Sequence, residues 1–157
     1  MNDLILARAV HVLTVVIWIG GVSMVTTTVL PALRRGELGE DRHRVFESVE
    51  RRLVWQARVA VLLAGATGFY MVERLGLWAR FRTPHFWWMH AMVGVWLIFA
   101  LALFVVEPLG LHRLLHRGGT ATPEAAILRL LRVHLVLLTL ALITILGAVA
   151  GSHGWMF

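Results

Sequence analysis

No cysteine occurs among the 157 residues, which excludes disulfide frameworks, thiolate metal sites and cysteine nucleophiles. Lysine is missing too: all 15 positively charged side chains are arginine, so Schiff-base chemistry and amine ligation of a metal are excluded. Charge of either sign is scarce, at 15% of residues, against 59% hydrophobic residues and a mean hydropathy of +0.76. A soluble domain of this size and apolarity would aggregate, so the solvent these residues suit is lipid. The net charge of +6 does not point to nucleic acid, because the arginines gather between the apolar runs, as they do in membrane proteins.

A helix needs about 20 largely apolar residues to cross a bilayer, and four such runs with their loops use nearly the whole chain. The expected fold is therefore all-α, a four-helix transmembrane bundle forming a single domain, with spans near 4–30, 53–72, 86–107 and 130–150. The first run is longer than a signal-peptide core and lacks a small-residue cleavage site, so it reads as a retained helix. Pro31 and the run Arg34-Arg35-Gly36-Glu37 are expected to end it. Glu73, Arg74 and Gly76 close the second run, and Pro84 and Glu107-Pro108 bracket the third. The segment 34–52, with Val45, Phe46 and Val49, suits a short amphipathic helix on the membrane surface, and Gly118-Gly119-Thr120 suits a turn.

Arginine asymmetry sets the expected orientation. Arg34, Arg35, Arg42, Arg44, Arg51, Arg52, Arg113, Arg117, Arg129 and Arg132 fall on one side, against Arg8, Arg74, Arg80 and Arg82 on the other. Both termini are then extracytoplasmic, and Tyr70, Trp78, Trp87, Trp88 and Trp155 map to the outer interface as anchors, with Trp55 at the inner one.

An ionisable residue inside a span is costly and marks a candidate site. His11 in the first span and His90 in the third both enter from the outer side, at expected depths of roughly 6 to 11 Å for a rise of about 1.5 Å per residue. Two histidines on different helices at one depth match the axial ligation of a haem iron. Thr14, Gly20, Gly21, Gly65, Gly68, Gly94, Gly147 and Gly151 offer room for a macrocycle, and Arg8, Arg74, Arg80 or Arg82 can hold propionates. Small residues spaced by four also let membrane helices approach, and a membrane histidine also serves as a hydrogen bond between helices. A copper reading competes, because Met71, Met89, Met92 and Met156 gather with His11, His90 and His153 toward the outer end, although Met89 and Met92 form a single Met-x-x-Met pair and no repeated array of Met-x-x-Met or His-x-His marks a tight copper site. His134 enters the fourth span from the other side, as an interhelical hydrogen-bonder or part of a second site. His43, His112 and His116 read as loop residues and His85 as interfacial. Glu73 and Glu107 are candidate partners of Arg74 or Arg113.

Several segments taken in order carry a resemblance: Ala9-Val10-His11-Val12-Leu13, Trp18-Ile19-Gly20-Gly21, Leu30-Pro31-Ala32-Leu33, Val45-Phe46, Ala66-Thr67-Gly68-Phe69-Tyr70 and Met89-His90-Ala91-Met92. Together with the glycine-rich last helix they resemble the short four-helix branch of the CopD-like integral membrane proteins. That resemblance implies a metal or redox role in a bacterial cytoplasmic membrane, under a family name taken from copper resistance. The first-helix pattern is also similar to the HemJ-type haem membrane proteins, which use an early histidine and a third-helix lysine; here Met92 stands at the lysine-like place. The function expected is a b-type haem protein with His11 and His90 as axial ligands, beside Arg8, Gly21 and Gly94. It would exchange electrons with a quinone or a partner redox protein and be embedded in lipid as a homo- or hetero-oligomer. His153, Met92 and His134 are lesser metal-ligand candidates, and copper handling is the alternative function. A non-catalytic subunit of a redox complex, its histidines only stitching helices, is the third.

Overall fold

Backbone N–H and C=O groups have no water to bond in hydrocarbon, so an apolar chain of this kind satisfies them within helices. The computed structural model describes residues 2–37, 39, 42–109 and 123–155, and among these all regular structure is helical. Arg113, Arg117, His112, His116, the Gly118-Gly119-Thr120 turn and Met156 lie outside the described residues, as do the side chains of His43, Val45 and Phe46. Four helical stretches are long and apolar enough to cross a membrane: Asn2–Arg35, Ser48–Arg74, Pro84–Val106 and Ala125–Ser152. The chain is on this basis a multi-pass membrane protein.

The first stretch is α1 (Asn2–Met24), a π-helical turn (Val25–Val29) and α2 (Leu30–Arg35). Pro31 does not end it. The turn before the proline widens, with Leu30 N–H bonding Val25 O, and Pro31 becomes a first-turn residue of α2, where a missing N–H does no harm. The helix stops at Gly36, whose φ of 75° is the left-handed value that favours glycine. The second stretch belongs to α3 (Arg42–Arg74), so the segment expected as a separate surface helix is instead continuous with the span. After 3₁₀ turns at Leu77–Arg82 and Pro84–Phe86 come α4 (Trp87–Leu101), a second π turn (Ala102–Val106) and finally α5 (Pro123–Ser152).

The helices pack as two antiparallel hairpins, α1 on α3 and α4 on α5, joined by lighter contacts of α3 with α4 and α1 with α5. A core of Trp18, Ile19, Ala60, Val61, Phe99, Leu138 and Ala141 fills the middle, with Trp18 edge-on to Phe99 at 4.9 Å between the hairpins. Most other apolar side chains point outward, including Leu6, Val16, Leu62, Leu97 and Leu146, as a lipid-facing surface requires.

Arg58 is a charged residue inside the second apolar stretch. Its role follows from the second π turn. Glu107 N–H bonds Ala102 O, five residues back, so the donor in register for Leu103 O would be residue 108, which is proline and has none. Arg58 Nε donates to that carbonyl at 3.1 Å, and its Nη2 pairs with the Glu107 carboxylate. Glu107 is therefore partnered by Arg58 among the described residues, and Arg113, the other candidate, lies outside them. At the opposite end Asp3 accepts from Tyr70 Oη at 2.6 Å and Arg74 Nη2 at 3.3 Å, tying the start of α1 to the end of α3. Glu73 instead accepts Trp78 Nε1 at 2.8 Å.

Arg58→Met should destabilise the solubilised protein by about 1–2 kcal/mol, the range for a hydrogen-bonded, partly exposed ion pair. Adding Pro108→Ala, which restores an N–H in register with Leu103 O, should recover part of that loss. Unfolding in mixed micelles reads both, and strict additivity of the two substitutions would refute the account of Arg58.

Candidate functional site

On α1, His11, Thr14 and Trp18 follow at intervals of three and four and so share one face of the helix, the one turned into the bundle. Thr14 is buried and spends its hydroxyl on its own helix, donating toward Val10 O and His11 O, both at 2.9 Å. Trp18 is buried, and its Nε1–H has no acceptor among the described residues.

His11 is half-buried against α3. Its Nδ1 lies 3.0 Å from Ala64 O and 3.1 Å from Thr67 Oγ1. A carbonyl only accepts, so Nδ1 carries the proton and Nε2 keeps the lone pair. The ring fits because residue 68 is glycine: a Cβ there would stand 3.2 Å from His11 Cε1.

Trp96 of α4 docks on the same helix in the same way. Its Nε1–H donates to Val61 O at 2.9 Å while its ring covers Gly65, where a Cβ would fall 2.7 Å from ring carbons. In both cases the accepting carbonyl is four residues before the glycine. That carbonyl already takes the helical N–H of the glycine, and with no Cβ in the way its second lone pair is open to a ring from a neighbouring helix.

Two more glycines are filled likewise. A Cβ on Gly147 would meet Trp87 at 2.5 Å, and one on Gly151 would meet Trp88 at 2.5 Å. Gly65, Gly68, Gly147 and Gly151 therefore receive aromatic and imidazole rings of this chain and do not hold open the space expected for a macrocycle. Nothing lies within 4 Å of a Cβ placed on Gly20 or Gly94, and at Gly21 only Leu53 Cδ2 does, at 3.9 Å.

His90 is exposed near the start of α4. Its Nε2 donates to Phe81 O at 2.9 Å, and its ring meets the Phe81 ring edge-on at 5.4 Å, fixing the 3₁₀ turn against α4. The proton is thus on Nε2 and the lone pair on Nδ1, the reverse of His11. Among the described residues no hydrogen bond or ring contact joins His11 to His90. Arg8, one turn from His11, is exposed with no acidic partner among the described residues. Arg74 is committed to Asp3, and Arg80 lies 4.9 Å over the Phe86 ring.

The remaining candidates are dispersed. His134 Nδ1 donates to Leu130 O of its own helix at 3.0 Å, a bond within α5 where one between helices was expected. His153, in the turn after α5, bonds Val149 O at 2.8 Å. Met92 and Met71 are half-buried and Met89 is buried. Among the described residues no group of three His, Asp or Glu side chains forms a metal-binding cluster. Two clefts, of about 350 and 260 Å³, lie away from His11 and His90, beside Pro31 and Leu131 and along α5 at Leu135–Leu140. No known protein family, curated protein or solved structure matches the chain.

His11→Ala should cost about 0.6–1.7 kcal/mol, the range for hydrogen bonds between membrane helices. Gly68→Ala should cost a similar amount by pressing on the ring. Because both act on one contact, the pair should be clearly less than additive when unfolding is followed in micelles.

Proposed function

We propose that the chain is a b-type haem membrane protein of electron transfer, with both termini extracytoplasmic and His11 as the anchoring axial ligand. The observation that carries this reading is the fixed tautomer of His11. Metal-binding histidines characteristically donate their other ring N–H to a carbonyl or carboxylate, which orients the ring and raises its basicity. His11 does so through Ala64 O, leaving Nε2 as the ligand atom.

The residues fit a haem in part. His11 keeps an acceptor nitrogen with its other ring N–H donated, and Arg8 is a cation without a carboxylate partner among the described residues, whereas Gly20 is exposed on the face of α1 away from His11 and adds no room beside it. His90, the second ligand, offers Nδ1 as it stands and presents Nε2 only on leaving the Phe81 carbonyl. When bound, a haem supplies one-electron exchange with a quinone or a partner redox protein. The chain supplies imidazole ligation, an apolar surround and an arginine toward a propionate. This function and the site in a bacterial cytoplasmic membrane agree with the CopD-like resemblance.

A second reading rests on the four filled glycines: the rings only stitch helices, and the chain is a non-catalytic subunit of a redox complex. Copper handling has less support, since the methionines and histidines have separate surroundings. The protein purified in detergent with haem supplied should have a Soret band and a reducible α-band. Both should be lost in His11→Ala and altered in His90→Ala. No pigment in the wild type would overturn the haem reading, and stoichiometric copper without haem would establish the alternative.

A further inference from the structure

We propose that the cleft where α2 meets α5 binds the phosphate of an anionic phospholipid headgroup. The cleft measures about 350 Å³ and is lined by Pro31, Arg34, Arg35 and Leu131, two arginines beside two apolar residues. Its charge is not what the sequence of two adjacent arginines suggests. Gly36 turns the chain back through its left-handed conformation, with Glu37 N–H bonding Ala32 O at 3.1 Å. The turn lays Glu37 on Arg35, Nε to Oε1 at 2.5 Å and Nη2 to Oε2 at 3.0 Å. That bidentate pair neutralises Arg35 and holds the Glu37 carboxyl below its usual range.

Arg34, next to it, has no carboxylate among the described residues, and neither does Arg132, which follows Leu131 on α5 and is exposed. Arg34 is therefore a cleft-lining arginine without a carboxylate partner among the described residues, and the planar fork of a guanidinium matches two phosphate oxygens. Its position decides the class of ligand. Arg35 ends one candidate span and Leu131 lies a few residues inside another, so the cleft straddles the change from apolar to charged surface. A phospholipid headgroup has this polarity, with phosphate outward for Arg34 and glycerol and the first methylenes inward for Pro31 and Leu131. A basic pocket between spans is a known way of holding such lipids, and a volume of this size is within the range of small-ligand sites.

The test is native mass spectrometry of the detergent-purified chain titrated with phosphatidylglycerol, phosphatidylcholine or inorganic phosphate. Phosphatidylglycerol should be retained in preference to phosphatidylcholine. Arg34→Gln should weaken that retention about fivefold, as expected for one interfacial cation, while Arg34→Lys should keep most of it. Leu131→Trp, which fills the cleft and removes no charge, should also weaken it. Arg51→Gln, on an exposed arginine of α3, should leave it unchanged, which separates a site from general attraction to a basic surface. Equal losses in Arg34→Gln and Arg51→Gln, or retention unaffected by Arg34→Gln, would overturn the proposal. Binding of inorganic phosphate that depends on Arg34 and displaces the lipid would overturn the lipid assignment in favour of the free anion.

Discussion

Lipid gives helices no hydrophobic reason to associate, because a neighbouring acyl chain is as apolar as leucine. Association must come from close packing and from the few polar groups that can be shared, and this chain meets both needs at its glycines. Trp96 on Gly65, His11 on Gly68, Trp87 on Gly147 and Trp88 on Gly151 are ring-into-notch contacts between helices. They explain how α3 holds both α1 and α4, and how α4 holds α5, in a bundle whose small core would not suffice alone. At Gly65 and Gly68 the notch does two things, admitting the ring and exposing a carbonyl for its N–H. A single glycine thus replaces a packing residue and a hydrogen-bond acceptor.

Charge is handled with the same economy of parts. A widened turn before Pro108 leaves Leu103 O without a helical donor, and Arg58 reaches across from α3 to supply one while pairing with Glu107. At the other end Asp3, Tyr70 and Arg74 join α1 to α3. Asp3, Arg58, Glu73, Arg74 and Glu107 thus have structural partners, in contrast to Arg8 and Arg34. Neither has one among the described residues, and one stands a turn from His11 while the other lines the larger cleft.

Four spans were legible because lipid demands long uninterrupted apolar runs, and those are visible in one dimension. The ends were less so. Pro31 reads as a stop, yet a π turn upstream absorbs it, and such a turn leaves no trace in composition. Arg58 stands within the second run, where an average over apolar neighbours hides it; a lone arginine among apolar residues with a glutamate closing the next span is the signal of such a pair. The glycines were seen as either room or packing. Nothing in the sequence tells which ring of which helix arrives at Gly65 or Gly147, so only the fold decides, and it fills them. The depth of His11 and His90 was argued from counting residues, but their tautomers depend on carbonyls of α3 and of the Phe81 turn, contacts between segments far apart or looped back.

His11 and Trp96 make the same contact, and the difference between them bears on function. An indole has one ring nitrogen, and once its N–H is donated the side chain has no further polar capacity. An imidazole that donates from Nδ1 still has a lone pair on Nε2. Stitching α1 to α3 needs only the Nδ1 donor, so Nε2, which is not among the buried atoms left without a partner, is a capacity beyond that task. That lone pair is what distinguishes this notch from the one Trp96 fills, and it is the atom the proposed ligation calls on. The same face of α1 carries Trp18, whose N–H has no acceptor among the described residues. Trp18 is enclosed in the core against Phe99, whereas His11 is only half-buried at its notch, so of the two side chains it is the imidazole whose remaining nitrogen is not sealed in by packing.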